Sequence, residues 1–228
     1  LNELADRLEG KLQVADDWAS DLAACREETE ANYRKHLGPY LNFPQIFREA
    51  MPDDCYWVRD VTMSNTTWGN RLLKLDKPEQ NIYPVGAAIG PGFQFGIGAA
   101  FGAGGAKTVA ITGDGGFYLN MTELWTATQE KPDVAIVIFN DGGYGVIKDI
   151  QDTLYGGRHY FADPIGPDLK GLAALADLPY FRVESEAEMG PQLKAAIDHD
   201  GPTLLEVDMT KIGKIPRYFQ PPPYAEKG

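Results

Sequence analysis

Hydrophobic and polar positions change their period along this 228-residue chain. From Trp18 to about Lys35 charges alternate with alanines (DLAACREETEANYRK), which predicts an exposed connecting helix. Gly38-Pro39 breaks it, and residues 43–50 read as a short helix with Pro44 in its first turn. Beyond that point short apolar runs alternate with amphipathic ones. Strands are predicted at residues 55–58, 81–85, 108–112, 134–139, 180–183 and 203–207. Helices are predicted at residues 120–130, 144–154, 169–176 and 186–199. The run Val134-Ala135-Ile136-Val137-Ile138-Phe139 is continuously apolar, as a parallel strand buried on both faces requires. This order predicts an α/β fold, a doubly wound parallel sheet with helices on both faces. Ligands of such sheets bind beyond the carboxyl ends of the strands.

Two segments depart from the simple alternation. Residues 62–70 (TMSNTTWGN) are polar and turn-rich, which predicts a loop over a site rather than core. Residues 86–100 (GAAIGPGFQFGIGAA) are dominated by small residues. A helix so rich in Gly loses about 1 kcal/mol per Gly relative to Ala, tolerable where it must pack very close to a sheet or a ligand. On the residues alone, close helix–sheet packing is slightly the better reading of this segment. Gly102-Ala103-Gly104-Gly105 reads as a helix stop and turn, not a phosphate loop.

Composition narrows the class. A hydrophobic content of 43% in 228 residues suffices for one well-packed α/β domain with an appendage. The formal charge of −12 argues against a nucleic-acid binder, and no apolar run approaches a membrane span. Two cysteines, Cys25 and Cys55, make no disulfide framework, so a reduced cytoplasmic setting is expected. Residues 1–37 are expected to be a connecting segment at the end of a preceding central domain. Residues 38–212 would form the ligand-binding domain, and residues 213–228, with Pro221-Pro222-Pro223, an extended arm.

Candidate chemistry concentrates in residues 113–145. Gly113-Asp114-Gly115-Gly116 and Asn140-Asp141-Gly142-Gly143-Tyr144-Gly145 each follow a predicted strand and lead into a predicted helix. The stretch between them fits one helix plus one strand. Mg²⁺ takes about six oxygen ligands, usually one or two carboxylates with phosphate and water oxygens. Asp114 offers a carboxylate, Asn140 an amide oxygen, and Gly142 a carbonyl that glycine's conformational freedom can turn inward. The following helix starts would present N–H groups to a diphosphate. Either motif alone is an ordinary turn. Together, at neighbouring strand ends, they favour a Mg²⁺–diphosphate clasp.

The pattern GDG…N closely resembles the diphosphate-binding signature of thiamine-diphosphate enzymes, over roughly residues 41–207. Residues 86–98 are similar to the helix start that precedes it in the acetolactate synthase and benzoylformate decarboxylase branch. The resemblance implies thiamine diphosphate and Mg²⁺ as cofactors, with Asp114, Asn140 and Gly142 as metal ligands. It implies cofactor contacts from Ala87, Ala88, Ile89, Gly113, Gly115, Gly116, Gly143, Tyr144 and Gly145. Ile89 would be the apolar residue that bends the cofactor, and the Ala87 carbonyl would accept from its 4′-amino group. The family's activating Glu comes from a separate pyrimidine-binding domain, so no catalytic residue is assigned within this chain. That domain is expected from another chain or from a preceding part of the polypeptide, in a dimer or tetramer.

The reaction implied is cleavage or formation of a C–C bond next to a carbonyl, on a 2-keto acid or related acyl donor. The segment 62–70 lacks a His-Gln pair associated with acetolactate synthases, which tilts the reading toward a decarboxylase or lyase. An acetolactate-synthase-type carboligase, a pyruvate-oxidase-type enzyme and a non-catalytic regulatory subunit are the alternatives. A dinucleotide-binding oxidoreductase is disfavoured, because Gly90, Gly92 and Gly96 do not fit GxGxxG after the first strand. Trp68, Trp125, His159 and Tyr160 are secondary pocket candidates, for which core or surface roles are at least as good. His36 and His199 read as surface residues.

Overall fold

The computed structural model describes residues 1–216. The chain divides into two compact units, Leu1–His36 and Leu37–Gly228. The first holds helices α1 (Asn2–Leu8) and α2 (Trp18–Arg34), neither of which has a buried residue. Their charge-rich sequences leave no apolar stripe to bury.

The second unit is built on six parallel strands: β1 (Tyr56–Arg59), β2 (Asn81–Ile82), β3 (Thr108–Gly113), β4 (Val134–Asn140), β5 (Tyr180–Val183) and β6 (Thr203–Asp208). Their order across the sheet is β2-β1-β3-β4-β6-β5. The helices are α3 (Phe43–Ala50), α4 (Gly92–Gly102), α5 (Asp114–Leu119), α6 (Leu124–Glu130), α7 (Gly145–Leu154), α8 (Leu169–Leu175), α9 (Glu186–Asp198) and α10 (Met209–Ile212). This is the α/β parallel-sheet fold that the sequence predicts.

Strand β4 shows how the two faces are filled. Val134, Ile136 and Ile138 join Phe93, Ile97, Phe117, Leu124 and Leu172 in one core cluster. Phe139 points to the opposite face, as the period of two requires. There it meets Trp68, with ring centroids 5.7 Å apart, and Trp68 meets Phe47 at 5.0 Å. The segment 62–70 is therefore corrected. Residues Ser64, Asn65, Thr67 and Trp68 are buried, and Asn65–Gly69 forms a π-helical turn beneath α3. The run reads as a loop because its hydroxyls look solvent-seeking. Thr66 and Thr67 instead donate to the carbonyls of Thr62 and Met63 four residues back.

The glycine-rich segment also resolves. Only Gly92–Gly102 is helical. A Cβ on Gly96 would lie 2.6 Å from Cβ of Ala110 on β3. Close helix–sheet packing is thus the reason for at least this glycine. Gly104 and Gly105 adopt positive φ in the turn that follows the helix. The arm expected at residues 213–228 falls, beyond residue 216, outside the described residues.

The packing of Gly96 sets two effects against each other. Alanine would improve helix propensity by about 1 kcal/mol. Overpacking against Ala110 costs about 1–3 kcal/mol. Gly96→Ala is expected to destabilise the chain, lowering the melting temperature by a few degrees in thermal unfolding. An unchanged or raised melting temperature would show that α4 lifts away from β3 without cost.

Candidate functional site

The site follows from the register of two neighbouring strands. In the parallel pair β3–β4, Gly113 lies opposite Phe139. The chain leaves β3 directly into Asp114, the first residue of α5, and leaves β4 through Asp141-Gly142-Gly143-Tyr144 into α7. Asp114 and Asp141 are thereby brought to one cavity of about 210 Å³. Ile89, Gly113, Gly115, Gly116, Gly143, Tyr144 and Gly145 complete its floor, with Thr62 and Met63 at one side.

The two carboxylates share an unfavourable environment. Asp114 is only 2% exposed. Burial raises its pKa well above the usual carboxylate range, and the charge of Asp141 adds to the rise. Backbone amides of Gly115 and Gly143 oppose this. Asp141 is also raised by burial, with the ammonium of Lys148 pulling the other way. Oδ1 of Asp141 is buried and has no hydrogen-bond partner. Two like charges and an orphaned oxygen in one cavity suit a hard divalent cation, which would satisfy all three. No cluster of three or more His, Cys, Asp or Glu occurs among the described residues. The side chains present therefore fit a cation that completes its shell with carbonyl, phosphate and water oxygens, as Mg²⁺ does.

Asn140 and Gly142 are not part of this lining. Asn140 keeps the strand's alternation and follows Ile138 onto the sheet face. Its Nδ2 donates to Glu206 Oε1 at 2.7 Å, and its Oδ1 accepts from the Gly142 amide at 3.1 Å. Glu206 also accepts from the Tyr180 hydroxyl. The Gly142 carbonyl faces the Lys148 ammonium, 3.5 Å away. Both oxygens expected at a metal are thus engaged elsewhere. Asp141 and Gly143 occupy the cavity in their place. The signal for this lay in the sequence: Glu206 stands between Leu205 and Val207 inside a strand and needs a polar partner such as Asn140.

Glycines make the cavity possible. Gly142 and Gly143 take φ of +76° and +155°, which reverse the chain above β4. A Cβ on Gly115 would lie 2.6 Å from the Tyr144 ring. A Cβ on Gly145 would overlap the Asp141 carboxylate. Gly115, Gly116, Gly143 and Gly145 all line the cavity, so backbone forms much of its wall.

The other end of the site is a turn at 85–91. Ile89 is 44% exposed and lines the cavity. Ala87 and Ala88 are exposed beside it and do not line the cavity, and Ala87 has a φ of +52°. That conformation is strained for a residue with a Cβ, and such strain gathers at functional sites. At about 210 Å³ the cavity is smaller than the ~300–1,000 Å³ of a complete small-molecule site. A neighbouring cavity of about 270 Å³ shares Met63, Asp141 and Gly145 with it and adds Lys148, Asp149 and Lys214.

The secondary candidates separate from the site. Trp68 is core. Trp125 and Tyr160 are exposed, and His159 is an exposed partner of Asp152 at 2.7 Å. His36 and His199 are exposed. Both cysteines are free, Cys25 exposed and Cys55 buried. Among the described residues no helix is long and apolar enough to cross a membrane.

Known proteins resemble this chain in sequence and in fold. The family model described as thiamine pyrophosphate enzyme, C-terminal TPP binding domain, matches residues 61–207. Acetolactate synthase 1, chloroplastic, of Nicotiana tabacum is 29% identical over 229 residues, covering 91% of this chain and 33% of that protein. A probable acetolactate synthase large subunit of Methanococcus aeolicus is 34% identical over 144 residues, covering 62% of this chain and 24% of its own length. The solved thiamine diphosphate-dependent 4-hydroxybenzoylformate decarboxylase of Rhodococcus jostii RHA1 superimposes with a TM-score of 0.66 at 26% identity, over 75% of this chain and 32% of that one. The chain spans about a third or less of the length of these relatives. With the family match covering more than half of its residues, the chain belongs to the thiamine pyrophosphate enzymes and carries their C-terminal, cofactor-binding domain.

Proposed function

We propose that this chain is the diphosphate-anchoring part of a Mg²⁺-dependent enzyme acting next to the carbonyl of a 2-keto acid or related acyl donor. The observation that carries this reading is the pairing of buried Asp114 with half-buried Asp141, which share one glycine-walled cavity with Ile89.

Asp114, Asp141 and the Gly143 carbonyl would hold Mg²⁺, the amides of Gly116 and Gly145 would meet the diphosphate, and Gly115 would line its site. Tyr144 and Gly113 would border it. Ile89 would support the rings from below, and Ala87 and Ala88 would offer backbone to the pyrimidine side. When bound, thiamine diphosphate supplies a nucleophilic carbon for the substrate carbonyl and accepts the electrons of the broken C–C bond. The chain's own groups bind, orient and neutralise charge. Among the described residues no Glu lines the cavity. The proton chemistry that activates the cofactor is therefore assigned to a Glu of a pyrimidine-binding domain, from another chain or another part of the polypeptide, in a dimer or tetramer. Residues 1–37 would be the connection toward such a domain.

Decarboxylase or lyase chemistry is the preferred outcome. The sequence at 62–70 lacks the His-Gln pair, and the solved relative described above is a decarboxylase. Carboligation of the acetolactate-synthase type is the second reading, favoured by relatives that carry that name. The absence of a membrane-crossing helix among the described residues is compatible with a cytoplasmic enzyme.

Asp114→Ala should abolish Mg²⁺-dependent retention of thiamine diphosphate in calorimetry; unchanged binding would remove the site assignment. Asp141→Asn should keep an oxygen ligand while relieving the like-charge pair. The metal-free variant should melt a few degrees higher, with Mg²⁺ binding retained, and a lower melting temperature would contradict the electrostatic account. The 228-residue chain alone should show no turnover of any 2-keto acid. Robust turnover would mean that the activating acid lies within it. Ile89→Ala should lower turnover of the assembled enzyme more than cofactor affinity, and the reverse pattern would reduce Ile89 to packing.

A further inference from the structure

Asp60 is the least exposed carboxylate among the described residues and has no part in the clasp described above. It follows the last residue of β1 and is 0% exposed. Its amide still continues the sheet, donating to the Ile111 carbonyl of β3 at 2.9 Å. The backbone is therefore fixed, and the side chain reaches from a rigid base.

Four donors converge on that side chain. The Val61 amide donates to Oδ1 at 2.6 Å, and the Gly90 amide to both oxygens at 3.0 Å. The Gly92 amide donates to Oδ2 at 3.1 Å, as does the Thr112 hydroxyl. Burial alone raises the pKa of this carboxyl, and the donors act against the rise. Hydrogen bonds to a charged acceptor are about twice as strong as neutral ones.

The donors span the site. Gly90 and Gly92 flank Pro91 in the turn between Ile89 and α4. Gly90 has a φ of +98°, and its carbonyl accepts from Asn120 Nδ2 at 3.1 Å. Gly92 packs so tightly that a Cβ would lie 2.7 Å from Asp60 Cβ. A Cβ on Gly116 would lie 3.2 Å from the Gly90 amide nitrogen and 3.4 Å from Asp60 Oδ2. The same carboxylate thus holds the turn that presents Ile89 and abuts the glycine wall of the anion site.

Resting on the diphosphate-site reading above, we propose that Asp60 is a positioning residue that fixes how far Ile89 projects into the cavity. It sets the grip on the ring end of the cofactor independently of the grip on its diphosphate. It touches neither cofactor nor substrate. Its effect runs through the Gly90 and Gly92 amides. The register of β3 and β4 sets the Asp114–Asp141 pair, and of the four donors only the Thr112 hydroxyl belongs to either strand.

The test compares two probes on the 228-residue chain, thiamine diphosphate with Mg²⁺ and inorganic pyrophosphate with Mg²⁺. Asp60→Asn keeps the shape but turns an amide N–H toward one of the donors. It should weaken thiamine diphosphate about tenfold, as expected for loss of a charge-assisted bond, and leave pyrophosphate within about twofold. Amide hydrogen exchange without ligand should quicken at residues 85–92 and stay unchanged at 140–145. Thr112→Val removes one donor and leaves the carboxylate, and should show the same split at smaller size; it carries the test if Asp60→Asn does not fold. Equal weakening of both probes, faster exchange at both segments, or no change at all would overturn the proposal. A wild-type chain that binds neither probe would instead overturn the diphosphate-site reading, and the proposal with it.

Discussion

A buried carboxylate, Asp114, and a half-buried one, Asp141, meet where β3 and β4 end, and the surrounding structure is organised to tolerate them. Each lies one residue past a central strand whose position is set by parallel pairing on both sides. The pairing is held by apolar burial. Val134, Ile136, Val137, Ile138 and Phe139 are each buried to 1% exposure or less, and full burial of such a side chain is worth ~1.5–3 kcal/mol. That sum exceeds the several kcal/mol that a buried ion costs. The repulsion is not removed by the fold; it is held in place. In the proposed reading a hard divalent cation would relieve it, which is why the pair reads as a site and not as a packing fault.

Small residues serve two different ends within a few ångströms of each other. Gly96 brings α4 onto β3 and has no ligand to serve. Gly115, Gly116 and Gly145 clear the floor of the cavity, where any Cβ would strike Tyr144, the 90–92 turn or Asp141. Ala87 runs the opposite way. It occupies a positive-φ position that glycine would take without strain, and its side chain stands in the open turn. The strain is borne where the backbone is exposed beside the cavity, and the packed part of the segment carries none.

The fold was legible because β4 declares itself. A continuous apolar run bounded by turn residues has few readings, and the alternation of strands and helices around it leaves one architecture. The segment 62–70 was not legible. Threonine and serine hydroxyls that bond back to their own turn look identical in sequence to hydroxyls in water. The cavity was half legible. GDG and NDGG located both strand ends, but the choice between Asn140 and Asp141 depends on where β4 stops. While the strand continues, Asn140 belongs to the sheet face, and Glu206 claims it. The first residue free to turn over the top is Asp141. A one-residue difference in strand length thus exchanges an amide for a carboxylate and changes the charge of the site. Asp60 left no signal at all, since the turn it holds lies thirty residues further along the chain.

The geometry also separates holding from activating. In the proposed reading the anion end of the cavity lies within one domain, with its charges, amides and glycines drawn from two adjacent strand ends. The ring end is open. Val85, Gly86, Ala87, Ala88 and Ile89 form an exposed and almost wholly apolar turn, with Val85 99% exposed. Apolar turns are not left in water without a reason when the polar half of the same site is so fully enclosed. The asymmetry would suit a ligand with a charged tail for this domain to grip and a flat ring end for a second surface to cover. In the proposed reading that second surface brings the activating Glu. The domain described here then contributes fixed charge and a shelf, and the timing of catalysis belongs to the surface that closes over it.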